Sequence, residues 1–311
     1  MGEGKGEGDQ GIWFLFKQRL LRRLRLLAMT ASIYDYRMAL VFPGHVALLL
    51  MLLAFAQPAW GDEPRDSDPQ FRVCADPNNL PFSNRNQEGF ENKLADLLAH
   101  ELGQRLVYVW WPQRRGFLRN TLQAGVCDVV MGVPVGYDPV LTTPPYYRST
   151  YVFVYRNNAG YQITSFDDPP LHTLKIGVHL IGDDYANSPP AHLLSTKGIV
   201  ENVVGYSVYG DYGEDSPPGK IIAAVATGEI DVAIVWGPIA GYFAKRQTAP
   251  LTIVPVPSDV SSPSLPFVYN IAVGVRKGNE QLREKLGGLL QQKAPEIRKI
   301  LEDYGVPIVQ D

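Results

Sequence analysis

The stretch LQAGVCDVVMGVPVGY (122–137) is answered later in the chain by VATGEIDVAIVWGPIAGY (225–242). Each sets Gly-x-x-Asp-Val between a helical pattern and a hydrophobic strand, then a Gly/Pro turn and a tyrosine. Working outward from the first copy, FRVCA (71–75) reads as a strand closed by the turn-rich Asp76–Pro81. GFENKLADLLAHELG (89–103) has Phe90, Leu94, Leu97, Leu98 and Leu102 on one helical face, with Gly103 to end it. RLVYVWW (105–111) is a strand, GFLRNTLQAG (116–125) a helix and CDVVMGV (127–133) a third strand. Around the second copy the series restarts: LKIGVHL, PPAHLLSTKG, VENVVGYSV, KIIAAVATG, DVAIVW. Strands alternating with helices make βαβ units and an α/β fold.

Two aromatic β-runs, YYRSTYVFVYR (146–156) and LPFVYNIAVGVRKG (265–278), are expected to join the series, with two amphipathic helices after the second. The chain is then expected to leave a first lobe, build a second and return. Residues 70–155 plus 266–311 form lobe one and residues 156–265 lobe two. Each lobe has a mixed sheet, and a two-strand hinge lets them close on a ligand.

Cys74 falls on the first strand and Cys127 at the start of the third. In a flavodoxin-like order these strands are neighbours, about 4.8 Å apart, within disulfide reach if the register agrees. Two buried free thiols are the alternative.

The first 59 residues are set apart. VALLLMLLAFA (46–56) is an apolar run with Arg37 upstream and small residues at its exit. It is shorter than the roughly twenty residues of a bilayer-spanning helix. A secretory signal cleaved near Ala56 or Ala59 is expected, and no stable membrane span in the mature protein. The basic amphipathic IWFLFKQRLLRRLRLLA before it reads either as a membrane-surface segment or as residues upstream of a later start at Met29 or Met38. Without residues 1–59 the chain keeps 22 Lys and Arg against 28 Asp and Glu, a net charge of −6. An acidic exported protein is not expected to bind nucleic acid.

In open α/β sheets ligands sit beyond the carboxyl ends of the strands. That rule selects Asp76, Asn78, Asn79, Phe82, Asn84, Glu91, Trp111, Arg115, Pro134, Tyr137, His179 and Trp236 as candidate cleft residues, rich in stacking and hydrogen-bonding groups. Read blandly, they are solvated loop residues. No nucleophile motif, zinc motif or glycine-rich phosphate loop occurs, so no catalytic residue and no metal site is assigned. His172, His179 and His192 lack a metal spacing, and His179 reads first as a packed strand residue. Glu88 and Glu91 lie near a helix start, where an ionised carboxylate meets the dipole favourably. A hard-cation site at Asp183, Asp184 and Asp215 is conceivable, but solvated acids are the simpler reading.

FRVCADPNNLPFSN, GFEN, CDVVMGVP and TTPPYYRSTYVFVYR together resemble the J accessory proteins of methanol dehydrogenase clusters (MxaJ/XoxJ), quinoprotein dehydrogenase-associated members of the type II periplasmic binding-protein superfamily. The likeness covers residues 70–310. Amino-acid-binding members of that superfamily carry Thr-x-x-Arg after the third strand and an aspartate after the last strand of lobe two. Here Val133–Asp138 and Trp236 stand at those places, so a zwitterion would lose its charge-assisted hydrogen bonds. The resemblance implies a non-enzymatic periplasmic accessory of a PQQ-dependent methanol or alcohol dehydrogenase, aiding its maturation or activation through protein contact. The cofactor PQQ and the metal would then belong to the partner enzyme, with none in this chain. The tyrosine-rich loop 205–219 reads equally as a docking surface or an ordinary excursion. The alternative is an extracellular substrate-binding protein of an ABC transporter, taking a small-molecule ligand other than an amino acid.

Overall fold

The computed structural model describes residues 69–181, 188–208, 213–257 and 266–310, all within one compact unit. The expected signal segment, Asp183, Asp184 and the centre of loop 205–219 lie outside the described residues. Among those described, no helix is long and apolar enough to cross a membrane.

The first series runs β1 (Gln70–Ala75), a small hairpin of β2 (Asn78–Asn79) and β3 (Ser83–Asn84), α1 (Phe90–Leu102), β4 (Arg105–Trp110), α2 (Phe117–Asn120) and β5 (Val129–Pro134). After the short β6 (Leu141–Thr142) comes β7 (Tyr147–Arg156). The second series is β8 (Ile176–Leu180), α3 (Pro189–Thr196), β9 (Val203–Ser207), α4 (Lys220–Thr227) and β10 (Val232–Trp236). The chain ends through α5 (Gly237–Ala244), β11 (Leu251–Pro255), β12 (Val268–Val275), α6 (Glu280–Gln292) and α7 (Ala294–Asp303). The α/β expectation holds. The expected helix 116–125 is a single turn, because the Thr121 hydroxyl donates back to the Phe117 carbonyl and the backbone leaves helical geometry there.

The sheet follows the order β4-β1-β5-β12-β7-β10-β8-β9. Strands β4, β1 and β5 are parallel, as are β10, β8 and β9, while β12 and β7 run antiparallel to their neighbours. Strand β7 serves both ends of this array. Its residues Tyr147–Thr150 pair with β12, while Tyr151–Tyr155 pair with β10 on one side and Val152–Arg156 with β11 on the other.

Both Gly-x-x-Asp-Val units adopt the same backbone design. Gly125 and Gly228 each end a helical or turn segment at positive φ (75° and 83°), a region open to glycine without steric cost. Each Asp then exchanges two hydrogen bonds with the neighbouring parallel strand. The Asp128 amide donates to the Arg72 carbonyl (2.8 Å) and its carboxylate accepts from the Arg72 amide (3.0 Å). Asp231 does the same with Lys175, at 2.9 and 2.8 Å. The disulfide joins Cys74 and Cys127, whose Cα atoms lie 5.7 Å apart, as the β1–β5 adjacency requires.

Alternate residues of the strands feed cores on opposite faces. Val73, Val129 and Met131 pack with α1, α6 and α7 through Phe90, Leu98, Leu286 and Ile297. Cys74, Val130 and Val133 pack with Phe117 and Leu122 on the other face. Val130 and Val133 share a face although three residues apart, because β5 carries one extra residue against β12 between them. That bulge contains Gly132 at φ 70°. In the second half, Ile221, Val225 and Ile239 fill one face and Phe166, Ile176 and Leu194 the other.

Candidate functional site

The carboxyl ends of β5, β8 and β10 meet β7, β12 and the start of α1 around a cavity of about 340 Å³. Asn79, Phe82, Glu91, Pro134, His179 and Trp236 line it, half of the twelve candidate positions. Asn78 and Asn84 instead line a second, polar cavity of about 610 Å³ beside Glu88, Glu214 and Asp215. There the Asn78 side-chain amide donates to the Glu214 carbonyl at 2.7 Å. Asp76 is buried behind the first cavity, where its carboxylate accepts from the backbone amides of Asn78 (2.8 Å) and Gln113 (2.6 Å). It braces two loops of the wall. Trp111, Arg115 and Tyr137 are exposed and line neither cavity.

The sequence rule looked only beyond strand ends and so passed over Tyr147, Tyr151, Tyr269 and Ile271, which line the cavity from β7 and β12. Their spacing carried the signal. Tyr147 and Tyr151 share a face of β7 by the two-residue period, and the register pairs Ile271 with Tyr147. Trp236 joins these strands into one aromatic wall. Its ring meets Tyr151 at 5.4 Å and Tyr269 at 5.7 Å between centroids, both edge-to-face. Its indole N–H donates to the Tyr147 hydroxyl.

Glu91 is the acidic member of the lining. It stands in the first turn of α1, where the dipole favours an ionised carboxylate. Desolvation wins: Glu91 lines the cavity, and loss of bulk solvation pushes its carboxyl up to about 8. The expected solvated, dipole-paired carboxylate is therefore a neutral acid at pH 7. The Gly132 bulge makes this seat, since a Cβ on Gly132 would collide with Glu91 Oε1.

His179 is buried on β8, as a packed strand histidine should be, and it also lines the cavity. Burial lowers its pKa to about 4, although a hydrogen bond to the Pro218 backbone opposes that shift. Proline offers only a carbonyl, and Nε2 has no partner among the described residues, so Nδ1–H donates to Pro218 and Nε2 keeps a lone pair. Ser188 is the N-cap of α3, and Pro189 and Pro190 follow it without amides to donate. Its buried hydroxyl likewise has no partner among the described residues. Among the described residues no group of His, Cys, Asp and Glu could hold a metal ion.

No family model matches the chain. It is 30% identical over 250 residues to protein MoxJ of Methylorubrum extorquens, covering 76% of this chain and 81% of that one. It is 30% identical over 271 residues to protein MoxJ of Paracoccus denitrificans, covering 83% and 94%. Among solved structures, the periplasmic binding protein XoxJ from Methylobacterium extorquens AM1 superposes with a TM-score of 0.64 at 35% identity, over 78% of this chain and all of the other. The fold is that of a type II periplasmic binding protein, α/β with a mixed sheet.

Proposed function

This chain belongs to the MoxJ family, and from that premise we propose that it is a periplasmic accessory of a PQQ-dependent methanol or alcohol dehydrogenase. It assists maturation or activation of that enzyme through protein contact, and PQQ and metal reside in the enzyme. The observation that carries this reading is the similarity to MoxJ over most of both chains. The cavity supports it by subtraction. Among the described residues its lining has no Arg or Lys to grip a carboxylate, and Trp236 lines it where the amino-acid-binding members of the superfamily carry an aspartate. The two lobes, 70–155 with 266–311 and 156–265, would move about β7 and the crossing at β12, and the loop 205–219 would offer part of the docking surface.

Crosslinking pull-down from periplasmic extract tests the proposal with the mature protein as bait. A quinoprotein dehydrogenase should be recovered, and its absence after crosslinking sinks the accessory role. One observation favours a second reading, a substrate-binding protein serving an ABC transporter: the cavity of about 340 Å³ is of ligand size. Deletion of the gene separates the two, because loss of dehydrogenase activity with solute uptake intact excludes transport.

A further inference from the structure

We propose that the cavity between β5, β8, β10 and the crossing strands binds an organic ammonium ion that carries no carboxylate. This inference concerns the cleft alone and does not depend on the dehydrogenase partner; it sharpens the solute-binding reading by naming a ligand class.

Three observations converge on that class. The first is what the walls accept. His179 Nε2 presents a lone pair beside the Ser188 hydroxyl; both side chains are nine-tenths or more buried, and neither atom has a partner among the described residues. Unpaired buried polar atoms are costly, so the site is built for a guest that satisfies them. A lone pair on Nε2 calls for a donor, and an ammonium group brings up to three N–H donors with no acceptor.

The second is charge. Among the described residues Glu91 is the only carboxyl in the lining, and no Lys or Arg stands there. An anion would meet no positive group among the described lining residues, and beside it Glu91 could not ionise without repulsion. A cation can pair with it instead, and in doing so draws the carboxyl back to its ionised form. From neighbouring elements the hydroxyls of Tyr108, Tyr146 and Tyr147 interact electrostatically with Glu91, and none of them is cationic.

The third is shape and surface. Phe82, Tyr147, Tyr151, Trp236 and Tyr269 turn aromatic groups into a small volume. Ring faces attract cations, Trp most strongly. An α-amino acid shares the ammonium group, but its carboxylate would be desolvated without a partner.

Calorimetry on the mature protein at pH 7 tests this with benzylammonium, benzyl alcohol and phenylalanine as probes. Benzylammonium should bind with release of close to one proton, read from the heat in buffers of different ionisation enthalpy. Benzyl alcohol and phenylalanine should bind at least about tenfold more weakly, the worth of one desolvated cation–π or ion-pair contact. Glu91→Gln should cost benzylammonium at least about tenfold while leaving benzyl alcohol unchanged. Thermal melting of that variant verifies that it is folded. Equal affinity for alcohol and ammonium, tightest binding of phenylalanine, or no heat with any probe overturns the proposal. None of these results bears on recovery of the dehydrogenase, so the two readings fail separately.

Discussion

At the first Gly-x-x-Asp-Val unit, Cys74 and Cys127 are covalently joined; at the second, Gly177 and Ile230 occupy the matching positions. The equivalence follows from register, since Val73 pairs with Val129 as Ile176 pairs with Val232. The second site has no room for a disulfide or even a methyl group. The Ile230 Cδ1 fills the place of a Gly177 Cβ, and Ile221 Cγ1 lies 3.1 Å from it. One backbone design thus accepts two fillings, a cross-link in a small core and an aliphatic plug in a larger one. The cross-link serves where the helix is only one turn long and contributes little apolar area.

The largest effect follows from cutting that cross-link. Cys74 and Cys127 close a loop with a sequence separation of 53. By the loop-entropy model, replacing both with Ser costs about 4 kcal/mol. Urea unfolding should therefore show a much lower midpoint, and an unchanged one would deny the disulfide its structural role. Gly177→Ala tests the other filling from the opposite direction. Its methyl overpacks against Ile230 and should cost about 2 kcal/mol.

Beyond the shared device the copies diverge. After β5 the chain turns into solvent and Tyr137 is 43% exposed. After β10 it enters α5, where Tyr242 is buried, stacked on Tyr304 at 5.6 Å and covered by the Arg246 guanidinium. Tyr242→Ala should cost about 3 kcal/mol and Tyr137→Ala under about 0.5 in the same assay. Equal losses would mean that the aligned tyrosines are equivalent after all.

Much of this was legible in the letters. The alternation of strands and helices in each half follows from the Gly-x-x-Asp-Val echo, and a flavodoxin-like strand order put Cys74 and Cys127 within reach, the register deciding between a disulfide and two free thiols. The one-turn α2 was not legible, because Thr121 defeats its helix by a local back-bond that propensity does not weigh. Nor was the tyrosine wall. Tyr147, Tyr151 and Tyr269 sit within continuous aromatic β-runs, and only the pairing of β7 with β12 decides which of them face the cavity. Glu91 was selected by position but misjudged in charge, since its seat depends on a bulge at Gly132 invisible to periodicity.

The two halves also titrate in opposite senses, through Glu91 on α1 and His179 on β8. Glu91 has a folded pKa of about 8, above its usual 4.5, so the unfolded chain ionises first. Its contribution is fully present below 4.5 and is lost as pH rises towards 8. His179 has a folded pKa of about 4, below 6.5, so its contribution holds above 6.5 and is lost as pH falls towards 4. Glu91→Gln should raise stability by up to about 4 kcal/mol at pH 8 and by under about 0.5 at pH 4.5. His179→Asn should flatten the acid limb alone. Melting curves across pH 4–9 measure both. A Glu91→Gln gain that does not vary with pH would mean the carboxyl is already ionised in the folded protein.

The smallest effect tests the shared device itself. Asp128 holds more than a strand amide, because its two oxygens also accept from Arg72 Nε (3.1 Å) and Nη2 (2.6 Å) in a fork. Asp231 caps Lys175 but reaches Arg156 only at 3.9 Å. Both pairs are partly solvated, so the extra charge contact is worth little. Alanine at either Asp should remove one amide partner and cost about 1 kcal/mol, with Asp128 dearer by about 0.5. High salt should erase that difference and leave the common loss, because screening acts on the exposed ion pair and not on the backbone hydrogen bond. A difference that survives salt would place it in packing around the disulfide. The two units would then differ in more than their fillings.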